Sequence, residues 1–294
     1  MTITKFKTEA AHEVFQCQGD KKGSNLLVFG AIHGDEVCGT RALQQIIQDI
    51  EKGDLVITTG RFTCVPICNI EGHRQNKRLI DKNLNRIFFK TENDPTLEAQ
   101  YANALLPLMD DQDYFVDLHS TSGASPVFAF DDYETPETAF LIDQVVCPYV
   151  LYGWNDIYND DGVDGITTND AAAQKNVPSI LIECGQHQDP VAISVAKQNI
   201  LNVMVGLGMI SKKHSYSQEK KPIKIRMTDV FFKHDADGVF TQEWAGFDFI
   251  KKSTVITRKA DGSALHVAQD DTYVVMASPT ADVGTEWFCL GVRD

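Results

Sequence analysis

Short apolar runs alternate with amphipathic helical segments through the first two-thirds of this 294-residue chain, the pattern of an α/β layered domain. Leu26 to Ala31 is expected as a buried strand ending in a turn over Gly30 to Gly34, where glycine lets the backbone bend sharply. A helix should follow from about Thr40 to Glu51 and stop near Gly53. Arg61 to Cys68 is a second strand. Asp94-Pro95 pairs an N-cap with proline at the first helical position and opens a helix to about Met109. Tyr114 to Leu118 and Ser179 to Ile182 are further strands, and Asp189-Pro190 repeats the cap-and-proline signal before a helix to about Ile210.

Polar residues that a core would not accept stand just beyond these strands. His119 closes an Asp-Leu-His triplet, Glu183 ends Ile180-Leu-Ile-Glu, and His33 and Glu36 lie three apart in the turn His-Gly-Asp-Glu. In open α/β sheets that edge is where ligands bind. Two imidazoles and a carboxylate are a ligand set for catalytic zinc, which keeps a coordination position open for water. A further carboxylate such as Glu183, its pKa raised by an apolar flank, could then serve as general base. The pattern points to a zinc hydrolase. Taken singly, each residue has a plainer reading: His-x-x-Glu as a helix cap or surface pair, His119 as a hydrogen-bonded core histidine, Glu183 as half of a salt bridge.

Residues 211 to 222 are polar without an apolar face and are expected to be a linker. Beyond it, Ile223 to Met227, Thr254 to Thr257 and Tyr273 to Ala277 are short β-prone runs separated by Asp237-Gly238 and Asp261-Gly262 turns. The expected division is therefore a catalytic domain over 1–212 and a small β domain over 221–294.

The net charge of −14 repels phosphate backbones, and no basic arm offsets it, so nucleic acid is excluded as a partner. No run of about 18 apolar residues spans a bilayer. The start of the chain lacks a signal-peptide core, and the seven widely spaced cysteines suit reduced thiols. A cytoplasmic protein is expected; homo-oligomerisation is neither required nor excluded. Cys64 and Cys68 suit core packing, Asp235-Ala-Asp237-Gly238 suits a turn, and Cys184 has no obvious base beside it except His187.

One segment runs against the acidic background. Arg74, Lys77, Arg78, Lys82 and Arg86 crowd around the single acid Asp81. Guanidinium forks bind carboxylates bidentately, so an anionic substrate would explain the cluster. A solvated loop pairing with the protein's own acids explains it equally well.

Gly30-Ala-Ile-His33-Gly-Asp-Glu36, Asp81-x-Asn83-Leu84-Asn85-Arg86-Ile87-Phe88, Asp117-Leu-His119 and Glu183-x-Gly185 together resemble the aspartoacylase and succinylglutamate desuccinylase family, relatives of the zinc carboxypeptidases. The motifs keep the family's order over about residues 26 to 190, and Gly284-Thr-Glu-Trp-Phe resembles its β domain more loosely. The resemblance implies a mixed-sheet, zinc carboxypeptidase-like α/β/α domain followed by a small C-terminal β domain. It also implies one Zn2+ held by His33, Glu36 and His119. Glu183 would then activate water and protonate the departing amine, while Arg78 would polarise the scissile carbonyl. Asn85 and Arg86 would hold a substrate carboxylate, and the reaction would be hydrolysis of a small N-acyl amino acid.

Two departures separate the chain from its models. Aspartoacylases carry a Tyr and an Arg four residues apart before the catalytic glutamate, where this sequence aligns Gly165 and Asn169. The desuccinylases' Ile-Arg after Asp-Leu-His is replaced here by Ser120-Thr-Ser-Gly. The core chemistry transfers, but acyl specificity for N-acetylaspartate or succinylglutamate does not. A carboxypeptidase trimming short peptides would share the same machinery. A non-catalytic metal- or carboxylate-binding relative is the remaining reading, and Glu183 argues against it because a binder needs no base.

Overall fold

Residues 1–160, 165–216 and 221–293 are described by the computed structural model. The chain opens on an antiparallel hairpin, β1 (Thr2–Lys7) and β2 (Glu13–Gln18). Sequence pattern missed it because β1 is exposed along its whole length and so shows no in-out alternation. There follow β3 (Lys21–Gly30), α1 (Val37–Lys52), β4 (Thr59–Val65), α2 (Ile70–Gln75), α3 (Leu97–Leu105), β5 (Tyr114–Thr121), β6 (Phe128–Phe130) and α4 (Pro136–Gln144). The second half comprises β7 (Tyr149–Tyr152), α5 (Trp154–Asp160), α6 (Thr168–Gln174), β8 (Ser179–Gln186), α7 (Val191–Gly206) and β9 (Ile223–Phe232). It ends with β10 (Val239–Phe240), β11 (Asp248–Ile250), β12 (Val255–Arg258), β13 (Ala264–Val267), β14 (Thr272–Val275) and β15 (Glu286–Arg293).

Twelve strands form one mixed sheet in the order β1-β2-β4-β3-β5-β8-β6-β7-β9-β15-β14-β11. Strands β4, β3, β5 and β8 at its heart run parallel. Parallel strands need both faces covered, and the alternation of side chains shows how. Leu26, Val28, Val116 and Ile180 pack with Leu43 and Ile46 of α1, Leu141 of α4 and Ile200 of α7. Their neighbours Leu27, Phe29 and Phe115 face the other way, onto Tyr101 and Leu105 of α3 and Ala171 of α6. The C-terminal strands β9, β15, β14 and β11 continue the same sheet, joined through the parallel β7–β9 pair, while β10, β12 and β13 form a separate three-stranded sheet. All seven cysteines are buried and unpaired. Among the described residues no helix is long and apolar enough to cross a membrane.

Several boundaries move for identifiable reasons. The N-cap of α3 is Thr96 instead of Asp94, whose carboxylate accepts from the Thr96 amide and hydroxyl and from Lys82. That helix stops at Leu105 because Pro107 lacks an amide proton, and residues Leu106–Met109 continue as a 3-10 turn. Helix α7 ends at Gly206: Gly208 takes φ +69° and Met209 bonds back to the Met204 carbonyl. Of the linker expected over 211–222, a short 3-10 turn covers Lys212–His214, and residues 217–220 lie outside those described.

Candidate metal centre and active site

Both β5 and β8 run on past the apolar residues that predicted them, so His119 and Glu183 lie within strands. They are direct neighbours in the parallel register. His33 follows β3 on the other side of β5, and Glu36 sits at the N-cap position of α1. Gly34 is needed there for a close approach: a Cβ would stand 2.1 Å from the carbonyl carbon of Gly72 in α2. The left-handed backbone of the turn falls on Ala31, at φ 51°, and on neither of its glycines.

These elements bring His33, Glu36 and His119 together. All three are buried, and their ligand atoms lie within 4.8 Å of one another. Glu36 Oε1 is 2.7 Å from His33 Nδ1 and accepts from Arg78 Nη1 at 3.0 Å. Its Oε2 is 3.0 Å from His119 Nδ1 and accepts from the Ser120 amide at 3.1 Å. The charges and hydrogen bonds of His33 and His119 outweigh burial and hold the Glu36 carboxyl well below its ordinary value. Burial and the Arg78 charge lower His33 to about 4. For His119 burial acts the same way, but Asp117 and Glu36 overcome it and raise the imidazole.

Glu183 lies beside this group with its Oε2 buried and without a hydrogen-bond partner. Burial, reinforced by the charge of Glu36 and opposed by His119 and Arg78, pushes its carboxyl up to about 8. A buried carboxylate cluster facing two imidazoles suits a divalent cation: three N/O donors converge, and the lone carboxylate oxygen adds an acceptor for a polar ligand.

The basic segment meets acids of its own chain. Arg74 pairs with Glu71, Arg78 with Glu36, Lys82 with Asp94 and Arg86 with Glu286. Two of these pairs reach the site. Arg78, Asn85, Arg86 and Glu183 line one cavity with His33 and His119, and Phe130, Asp132, Trp154, Asn169, Met276 and Glu286 contribute to its walls. The Arg86 guanidinium donates to Glu286 Oε1 at 2.6 Å and to the Asn85 carbonyl at 2.8 Å, and it covers the Trp154 ring at 5.3 Å. Asn85 accepts from the Thr168 amide at 2.9 Å.

Supporting residues were given no role in the sequence analysis, although Asp117 and Asn83 stand within its motifs. Asp117 stands 3.0 Å from His119 Nε2, out of hydrogen-bond alignment, and accepts from the Thr168 hydroxyl at 2.6 Å. Its place two residues before His119, hence on the same strand face, was the available signal. Asn83 lies 3.1 Å from His33 Nε2 through its side-chain oxygen, which also caps Asn85. Glu98 is fully buried in the first turn of α3 and accepts from the amides of Ile80, Asp81 and Lys82, pinning the loop that carries Arg78. Nothing local distinguishes Glu98 from a helix-surface glutamate.

Residues 22–206 match the model of the succinylglutamate desuccinylase/aspartoacylase catalytic domain. The chain belongs to this family. A succinylglutamate desuccinylase of Vibrio campbellii is 30% identical over 126 residues, which span 40% of this chain and 36% of that protein. One from Vibrio vulnificus is 28% identical over 127 residues. The fold is shared more widely than the sequence. A succinylglutamate desuccinylase/aspartoacylase of Rhodobacter sphaeroides superposes with TM-score 0.76 at 16% identity, covering 99% of this chain and 94% of that one. The ectoine utilization protein EutE (DoeB) of Ruegeria pomeroyi gives 0.74 at 18%, covering 99% and 93%. This member of the family thus keeps its mixed α/β architecture from end to end, C-terminal strands included.

Proposed function

We propose that this family member is a zinc-dependent hydrolase that cleaves the amide bond of a small N-acyl amino acid. In this reading residues 1–212 form a zinc carboxypeptidase-like catalytic domain and residues 221–294 a C-terminal β domain that walls the cavity. A cytoplasmic setting belongs to the same reading. The observation that carries it is the juxtaposition of Glu183, with its unpartnered buried oxygen, and the convergent set His33, Glu36 and His119.

Zinc held by those three residues would supply polarisation of the carbonyl, an acidified water, and a positive charge that brings Glu183 down from about 8. Glu183 takes the proton from the attacking water and returns it to the departing amine, one group serving as base and then acid. Arg78 places a guanidinium beside the metal-ligand set and steadies the developing oxyanion. Arg86 and Asn85 take the substrate's carboxylate, with Glu286 and the Asn85 carbonyl orienting the guanidinium beforehand.

A peptidase could use the same groups, but Met276 and Glu286 from the C-terminal region wall the cavity, which suits a compact ligand better than a peptide.

Glu183→Gln removes the base and no ligand. In a purified, zinc-loaded protein assayed against a panel of N-acyl amino acids and short peptides, that variant should lose turnover while retaining about one zinc per chain. Normal hydrolysis by the variant would defeat the assignment.

A further inference from the structure

We propose that Asp132 and Asn169 form the part of the cavity wall that recognises the substrate's side chain, and that they select an ammonium-bearing side chain over a carboxylate. This rests on the reading of the chain as an N-acyl amino acid hydrolase and names the substrate class within it.

Charge is the first argument. Among the described residues, Arg78 and Arg86 are the two permanent cations lining the cavity, and each already has a carboxylate: Glu36 for Arg78, Glu286 for Arg86. Among the described residues no lysine or arginine pairs with Asp132. Its carboxylate is held by the Trp154 amide at 2.9 Å, which fixes it at the base of α5 beside the ring that Arg86 covers. Burial lifts the Asp132 carboxyl to about 7 against the pull of that amide, and the charges of Asp170, Asp131 and Asp156 add to the rise. A ligand cation supplies the missing counter-charge.

The second argument is independent of charge. Asn169 is 6% exposed, lines the cavity, and has its side-chain oxygen buried without any partner among the described residues. A buried acceptor left unmatched is destabilising, so a wall that keeps one is completed by a donor from the ligand. An ammonium group brings three donors and no acceptor, whereas a carboxylate brings only acceptors. A carboxylate placed there would meet the unmatched oxygen and the Asp132 carboxylate together.

The test uses the full-length, zinc-loaded protein and three matched compounds: the Nα-acetyl derivatives of ornithine, glutamine and glutamate. The expected order of kcat/KM is ornithine, then glutamine, then glutamate, with about tenfold or more between the ends. Asp132→Asn keeps the acceptor for the Trp154 amide and removes the charge; it should cut the ornithine-to-glutamate ratio roughly tenfold at unchanged zinc content. Asn169→Asp, isosteric and acidic, should widen that ratio. Calorimetric binding of free ornithine and free glutamate to the same protein gives a readout that needs no turnover. Hydrolysis of none of the three, with ornithine still bound more tightly, would overturn the hydrolase reading and support the wall. A preference for glutamate or glutamine over ornithine, or ratios unmoved by both variants, would overturn the wall.

Discussion

Around Glu36 each carboxylate oxygen has two partners, drawn from His33, Arg78, His119 and the Ser120 amide, whereas Asn169 on the same cavity presents an oxygen with none. The first region is built from the ends of three adjacent parallel strands and the turn after β3, so strand register sets its distances. The second is assembled from the segment after β6, the N-terminal parts of α5 and α6, and the start of β15. A lattice of backbone hydrogen bonds preserves chemistry across a family, while loops and helix ends vary with the ligand. In the proposed reading, the first region acts on the substrate and the second selects which substrate is admitted.

Substitutions can break that comparison or sharpen it. The largest effect is expected at the ligand region: His33→Ala or His119→Ala should lose the metal and all turnover, checked by metal analysis after gel filtration. Retention of one zinc by either variant would mean the convergent set is not the metal centre. Next comes Asp117→Asn, which alters the group beside His119 without touching a ligand; metal affinity should fall about 10–100-fold, as for other partners of ligating histidines. Competition with a chelator measures it. Arg86→Ala should act chiefly on KM for substrates with a free carboxylate, by about 2 kcal/mol or roughly 30-fold, and much less on their amidated counterparts. Equal losses on both would show that Arg86 shapes the cavity without clamping the carboxylate.

The smallest effect on activity is expected from His12, which lies outside the cavity and should alter stability alone. It is fully buried, with Nε2 2.8 Å from the Cys68 carbonyl and Nδ1 2.8 Å from the Thr8 hydroxyl. Burial lowers it from 6.5 to about 4. The fold therefore favours the neutral ring: its contribution is whole above pH 6.5 and is lost as pH falls toward 4. The loss amounts to about 3 kcal/mol at most. Urea unfolding between pH 7 and pH 4 should show a steeper decline for the parent than for His12→Gln.

Some of this was written plainly in the order of residues. Buried parallel strands need unbroken apolar runs, so Leu26 to Phe29 and Ile180 to Ile182 announced themselves, and the polar residues ending them marked the edge where the candidate site gathers. The motif residues His33, Glu36, His119 and Glu183 were legible because the family spacing reflects those same strands. Glu98 and Glu286 were not. Each acts on a partner distant along the chain, 18 positions away for Glu98 and Ile80 and 200 for Glu286 and Arg86, so neither role follows from local pattern, even though Glu286 lies in the Gly284-Thr-Glu-Trp-Phe stretch. The basic segment shows the opposite failure: its charges were conspicuous, yet most are met by the chain's own acids.

Local propensity and periodicity thus determined the central strands, helices α1, α3 and α7, their α/β alternation and the edge at which polar residues collect, because each depends on neighbours a few positions apart. Only the folded chain decided that the C-terminal strands extend the main sheet, that Glu286 meets Arg86, and that Asn169 keeps an unmatched oxygen. Those outcomes depend on which side chains the closed sheet brings within hydrogen-bonding reach and shields from water, quantities that exist only in three dimensions.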